Sequence, residues 1–240
     1  MKQAIALAFV ALMAAAPGSH KVARDTAALE FTYEWPAQAV AISALDTRFY
    51  REAKKALAEA QANAREDQQL AKEQKREFNG HYYSMTWSTA GQTPRLLSLQ
   101  SEFDTFEGGA HPNHSYDALL WDRNLGREIT LEDQFVRAGS FAALTRRPYC
   151  KALAKEQLKR RDGEKLDLPE FNACPKYSDL AIAPVDKDKD GRFDTIGFMA
   201  SPYVAGPYAE GEYENEFPVT RQLMAALKPA YRSSYEPQRQ

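Results

Sequence analysis

The sequence predicts an α+β fold in one domain: a mostly antiparallel sheet packed by two longer helices and a short C-terminal helix. Three observations predict it. Segments of period-two alternation recur from residue 27 to residue 218. Two long stretches with helical spacing and stop signals interrupt them. Neither an internal repeat nor a Pro/Gly-rich linker divides the chain, so helix-separated antiparallel strands fit one body better than separate lobes.

The elements follow in order. Lys2 precedes an unbroken apolar run, Ala4 to Ala16, and small residues follow in PGSH. That is the pattern of a secretory signal peptide over residues 1–18, with cleavage after Gly18. The run is shorter than the ~20 residues that span a bilayer, so the expected mature chain is soluble, without a membrane span, and periplasmic or secreted. In AALEFTYEWP, Leu29, Phe31, Tyr33 and Trp35 alternate with Glu30, Thr32 and Glu34, a half-buried strand. Asp46 opens a helix running to about Lys75, with Leu45, Phe49, Ala53, Ala56, Leu57, Ala60 and Ala64 as its apolar stripe. Its second half, REDQQLAKEQKREF, is charged enough to lie at the edge of the core.

HYYSMTWSTAG and LLSLQSEFDTF read as strands joined by a hairpin, and HSYDALLWDRNLGREI as strand, turn and short strand. TLEDQF is a capped turn. Ser140 is expected to cap a helix reaching Arg160, with Phe141, Leu144, Leu153 and Leu158 inward and Asp162-Gly163 as the stop. DLAIAPV, FDTIGFMAS and EYENEFPV resume the strands, and a short helix covers Thr220 to Lys228. The domain is thus placed at 19–232, with 233–240 as a mobile tail.

Charge and cysteine content narrow the function. Lysine and arginine total 31 against 33 acidic residues, net −2, so no basic field exists to hold nucleic acid. In an exported protein the two cysteines, Cys150 and Cys174, are expected to form one disulfide.

Two loops carry candidate chemistry. In VDKDKDGRFD, Asp186, Asp188, Asp190 and Asp194 take positions one, three, five and nine of a DxDxDGxxD loop, with Gly191 at the sharp turn. Alternating aspartates bring hard oxygens around one centre, Arg192 adds a carbonyl, and Ca²⁺ is the expected ion. Gly197 stands where an EF-hand has its bidentate glutamate, and Lys187 and Lys189 lower the local negative charge. A polar hairpin turn explains the same residues. The other loop, FEGGAHPNHS, places His111 and His114 behind Gly108-Gly109. Zinc needs three or four ligands, and Pro112 interrupts any helix through the pair. A turn in which a histidine ties loops together is therefore expected.

Combined with SPYVAGPYAEG, Ser201 to Gly211, the stretch FEGGAHPN resembles the extracytoplasmic domain shared by the anti-sigma factor RsiV and the non-catalytic part of the peptidoglycan deacetylase PdaC. In that family an aromatic-x-Gly-Gly-Ala-His turn ends one strand and a Pro-Tyr stretch follows a later one. The resemblance implies recognition of a cell-envelope ligand, such as lysozyme or peptidoglycan, by a non-enzymatic domain. Sigma-factor regulation and deacetylation are not expected to carry over, because the sequence shows neither a sigma-binding segment with a transmembrane helix nor room for a deacetylase domain. Tyr203, Tyr208 and Tyr213, with His111 and Asn113, are the expected binding residues, because tyrosines on constrained loops offer contact area at low entropic cost. Two alternatives stay open. One is an envelope-polymer hydrolase using His111 as general base with Glu107 or Glu210; the other is a calcium-stabilised structural module.

Overall fold

A computed structural model of the protein describes residues 18–238. The expected signal peptide therefore lies, apart from Gly18, outside the described residues. The chain is α+β, as expected, but its strands form two sheets. The larger has the order β1-β2-β3-β4-β5-β6, from His20–Asp25, Leu29–Trp35, His81–Gln92, Leu96–Phe106, Asn113–Asp122 and Arg127–Ile129. The smaller, β7-β8-β9, comprises Ala181–Val185, Thr195–Ala200 and Tyr213–Pro218. All pairings are antiparallel except β2 with β3. That exception has a cause: the short helix α1 (Ala37–Val40) and the long helix α2 (Ser43–Glu73) lie between those strands, and a parallel pair needs such a crossover.

The alternation in β2 works as its sequence dictates. Leu29, Phe31, Tyr33 and Trp35 are all buried, and they meet Leu45, Phe49, Ala53, Ala60 and Ala64 of α2 in one core. The alanines keep the helix close to the sheet. Asp46, expected to open α2, lies one turn inside it and accepts hydrogen bonds from Trp35 Nε1 at 2.8 Å and His20 at 2.8 Å.

The opposite face of the large sheet carries a second core. Leu96, Leu120 and Ile129 pack with Ile196 and Phe198 of β8 and with Phe141, Tyr149 and Leu153 of helix α3 (Ser140–Arg160). Helix α4 (Arg221–Ala226) adds Leu223. Ser140 is not the cap of α3: the Glu132 carboxylate accepts from the backbone N–H groups of Phe141 and Ala142. Leu158 is exposed, and Thr145, Tyr149 and Gln157 take the inward positions beside Phe141 and Leu153. Cys150 and Cys174 are joined as a disulfide.

The tail expectation is corrected over its described part. Ser234, Tyr235 and Glu236 are buried, Tyr235 bridges Phe193, and its hydroxyl donates to Gln134 at 2.8 Å. Just upstream, Tyr231 donates to the buried Asp122, which also receives two bonds from Arg95. Aromatic anchoring outweighs the polar composition of this segment.

Candidate ligand-binding site

The site grows from two strand ends on one face of the large sheet. β4 ends at Phe106 and β5 begins at Asn113, so residues 107–112 must reverse the chain. Gly108 and Gly109 do so at φ of +93° and +106°, where side chains are strained. The turn presents His111, half-buried, and His114 enters β5 opposite Asp104, with which it is paired.

The second contributor is the loop between β8 and β9. Its root is tied to β5, because the Tyr116 backbone N–H donates to Ser201 Oγ at 3.0 Å. A latch fixes it from beneath. Arg161, in the turn after α3, donates from Nε and Nη2 to Glu210, each at 2.8 Å, and both side chains are largely shielded from solvent. Arg160 donates to the carbonyls of Glu210 and Glu212 and stacks on the Tyr213 ring at 4.0 Å. The guanidinium of Arg161 holds the Glu210 carboxyl below the usual carboxylate range, against the opposing effect of burial. Burial, and then the neighbouring Glu210, push the Tyr213 hydroxyl up to about 12. Gly206 leaves room for the same latch, since a Cβ there would lie 2.2 Å from the Glu210 carboxylate and displace it.

Held this way, the loop sends Tyr203 and Tyr208 to the Gly-Gly-Ala-His turn. Tyr208 stacks on His111 with ring centroids 3.7 Å apart and planes 17° apart. Its centroid lies 6.1 Å from His114 and 5.8 Å from Tyr203. The His111 Nδ1–H donates to Pro112 O at 2.8 Å, leaving Nε2 to accept from the Tyr203 hydroxyl at 3.3 Å. Tyr203 is 54% exposed and has φ of +70°, a left-handed conformation costly for an aromatic residue. The result is a surface patch of stacked rings on a rigid support.

The structure sorts the expected residues. His111, Tyr203 and Tyr208 come together, and exposed Asn113 adjoins them at the start of β5. Tyr213 is not a surface residue: it is fully buried and its hydroxyl donates to Glu210. The carboxylates named for a hydrolase are engaged elsewhere, Glu210 with Arg161 and Tyr213, Glu107 with Asn63 Nδ2 at 3.3 Å. Arg160 and Arg161 were not expected as site residues, and His114, expected only in a loop-forming turn, joins the patch. The signal for Arg161 was its place just before the Asp162-Gly163 stop.

The aspartate loop joins β7 to β8, on the far side of the small sheet's hairpin. One carboxylate oxygen each from Asp186, Asp188 and Asp190 lie within 4.8 Å of one another. Most of their hydrogen bonds close the loop itself: Asp186 accepts from the N–H groups of Asp190 and Gly191, and Asp190 from that of Arg192. Asp194 is buried and accepts from the Lys187 N–H at 3.1 Å, and the Arg192 side chain pairs with Glu236. Gly91 admits this loop, since a Cβ there would lie 2.7 Å from Asp186 Cβ.

Comparison with known proteins bears on this geometry. Residues 22–114 match the family model described as Deacetylase PdaC. Over these residues the chain is similar to the PdaC model. The match runs from within β1 to the start of β5, so His111 and His114 lie in the matched segment, whereas Tyr203 and Tyr208 come from beyond it. The remainder is covered by structural likeness. A crystal structure of a DUF3298 family protein from Pseudomonas aeruginosa, 16% identical, covers 92% of this chain and 97% of its own at a TM-score of 0.53. A DUF3298 family member from Bacteroides fragilis, 15% identical, covers 87% of this chain and 92% of its own at 0.48. At 16% identity what is shared with the Pseudomonas aeruginosa protein is the fold. No curated protein matches the chain.

Proposed function

We propose that the protein is an exported, non-enzymatic binding domain that recognises a cell-envelope ligand, peptidoglycan or a lysozyme-like protein, through the patch of Tyr203, Tyr208 and His111. The observation that carries this reading is the stacked His111–Tyr208 pair beside exposed Tyr203. Aromatic faces held flat and rigid suit sugar rings, which offer an apolar face edged by hydroxyls, and they also serve as anchors in protein interfaces. The Arg161–Glu210 latch supports the reading, because an ordered loop loses less entropy on binding. Export is supported by the Cys150–Cys174 disulfide, which suits an oxidising compartment. Among the described residues no helix is long and apolar enough to cross a membrane.

Sedimentation of the purified protein with peptidoglycan sacculi, beside a calorimetric titration with lysozyme, tests the proposal. Saturable binding in either arm, weakened by Tyr208→Ala, is the expected result. Flat responses in both arms would remove it.

A second role belongs to the aspartate loop. The convergence of Asp186, Asp188 and Asp190 favours a structural Ca²⁺ ion at the β7–β8 turn, with the Arg192 carbonyl and Asp194 as the further oxygens. The loop lies at the opposite end of β8 from the Pro-Tyr loop, which supports a part in stability rather than recognition.

A further inference from the structure

The aromatic patch sits at one end of a longer surface feature. Even-numbered residues of β4 and β5 point to the same side of the large sheet as the small sheet. At one end of these strands Leu96, Ser98 and Leu120 are buried there. Towards the other end the row emerges as Gln100, Glu102 and Asp104 on β4, opposite Ala118, Tyr116 and His114 on β5. Thr86 and Ser88 continue it on β3, opposite Glu102 and Gln100. Where the row passes under the rim of the small sheet there is a cleft of about 220 Å³, lined among others by Thr86, Ser88, Gln100, Glu102, Tyr116 and Met199. From His114, beside the patch, to Tyr116, which lines the cleft, is two residues of extended strand, or ~7 Å. The bond from Tyr116 N–H to Ser201 Oγ fastens the root of the patch loop to the strand that lines the cleft.

The lining has a definite chemistry. Tyr116 and Met199 supply apolar surface, Thr86 and Ser88 hydroxyls, Gln100 an amide and Glu102 a carboxylate acceptor. Few convergent polar groups on an apolar floor are what orient a small polar ring. The field is negative: Glu212, Glu102, Asp104 and Glu214 all act on the Tyr116 hydroxyl, which burial and these charges push up to about 12. The row offers one titratable base against them, His114, already paired with Asp104.

We propose that the aromatic patch and the Tyr116 cleft are two subsites of one groove that holds a linear glycan of uncharged or amine-bearing sugars. This rests on the patch being a ligand-binding surface, and it adds the ligand's chemical class, its minimum length and its charge. A ring stacked at Tyr208 and His111 leaves the next units to run along the His114–Tyr116 row into the cleft. Anionic sugars meet the carboxylate row and are rejected.

Calorimetry with chitobiose, chitotetraose and a hyaluronan tetrasaccharide of alternating carboxylates separates the claims. Chitotetraose is expected to bind at least tenfold more tightly than chitobiose, and the anionic tetrasaccharide at least tenfold more weakly than chitotetraose. Thr86→Trp, an exposed position on the cleft rim, should erase the length-dependent gain and leave chitobiose binding intact; Tyr116→Ala, with its melting temperature checked, should do the same. Tyr208→Ala should weaken both neutral sugars. Equal affinity for the two chitin fragments, a gain that survives Thr86→Trp, or equal binding of the anionic tetrasaccharide would overturn the groove while leaving the patch standing. Chitobiose binding that Tyr208→Ala does not change, or no binding of any sugar, would overturn the groove together with the patch as a sugar site.

Discussion

The two loops that promised chemistry are built on opposite plans. The aspartate loop turns most of its polar atoms inward: Asp186 and Asp190 accept from their own backbone, and Asp194 is buried against Lys187 N–H. The Pro-Tyr loop keeps its polar anchoring beneath, in Arg161, Arg160 and Glu210, and leaves Tyr203 and Tyr208 to face outward beside His111. A loop that satisfies itself stabilises a turn. One satisfied from below presents a surface.

The largest expected effect breaks this contrast from beneath. Arg161→Met leaves the Glu210 carboxylate without its buried partner, at a cost of about 3–5 kcal/mol, read by urea denaturation. The same pair sets a pH dependence. Because Glu210 titrates below its ordinary value in the folded state, its contribution is complete above the ordinary carboxylate pKa and is lost as pH falls through the depressed one. Glu210→Gln should therefore flatten the acid limb of the stability curve while lowering stability at neutral pH.

Next in size is the disulfide. Cys150 and Cys174 are 24 residues apart, and closing a loop of that size stabilises by roughly 3 kcal/mol in the chain-entropy model. The bridge tethers the segment whose Phe171 carbonyl and Asn172 side chain accept from Arg161. A Cys150→Ala/Cys174→Ala variant should lose about that amount by denaturation, and glycan binding should weaken with it.

Calcium should act on the other loop alone. For a site with a Kd of about 1 mM, in the range of extracellular modules, 10 mM Ca²⁺ adds ~1.4 kcal/mol. Melting temperature should rise with Ca²⁺ and fall back with EDTA, and Asp188→Asn should abolish the response without touching sacculus binding. An EDTA-insensitive melting temperature, equally unmoved by added Ca²⁺, would leave the loop as a plain hairpin turn.

The smallest stability effect sharpens the contrast most. Tyr203 is exposed and left-handed, so in Tyr203→Gly the relieved strain offsets glycine's entropy and stability should stay within about 0.5 kcal/mol. Binding should still weaken.

Much of the fold was legible because periodicity reports burial directly. The alternation of Leu29, Phe31, Tyr33 and Trp35, and the 140–160 helix, appear where the pattern puts them. The split into two sheets was not legible, because pairing is a long-range choice that alternation does not encode. The exposed strand β1 carries too little apolar patterning to announce itself. At the site, His111, Tyr203 and Tyr208 were legible by type and setting. Tyr213 was not, since its burial depends on Arg160 stacking on its ring and on Glu210 accepting its hydroxyl. Its spacing from Tyr208 gives no hint of either partner. Nor did the polar tail reveal that Tyr235 reaches Gln134.

The central claim is that rings held outward on the latched loop bind an envelope ligand. The most direct test is a sacculus-binding isotherm for the wild-type protein and a Tyr203→Ala/Tyr208→Ala variant of matched melting temperature. The account predicts saturable wild-type binding and at least a tenfold loss in the variant, ~1.4 kcal/mol. Indistinguishable isotherms for two equally folded proteins would contradict it.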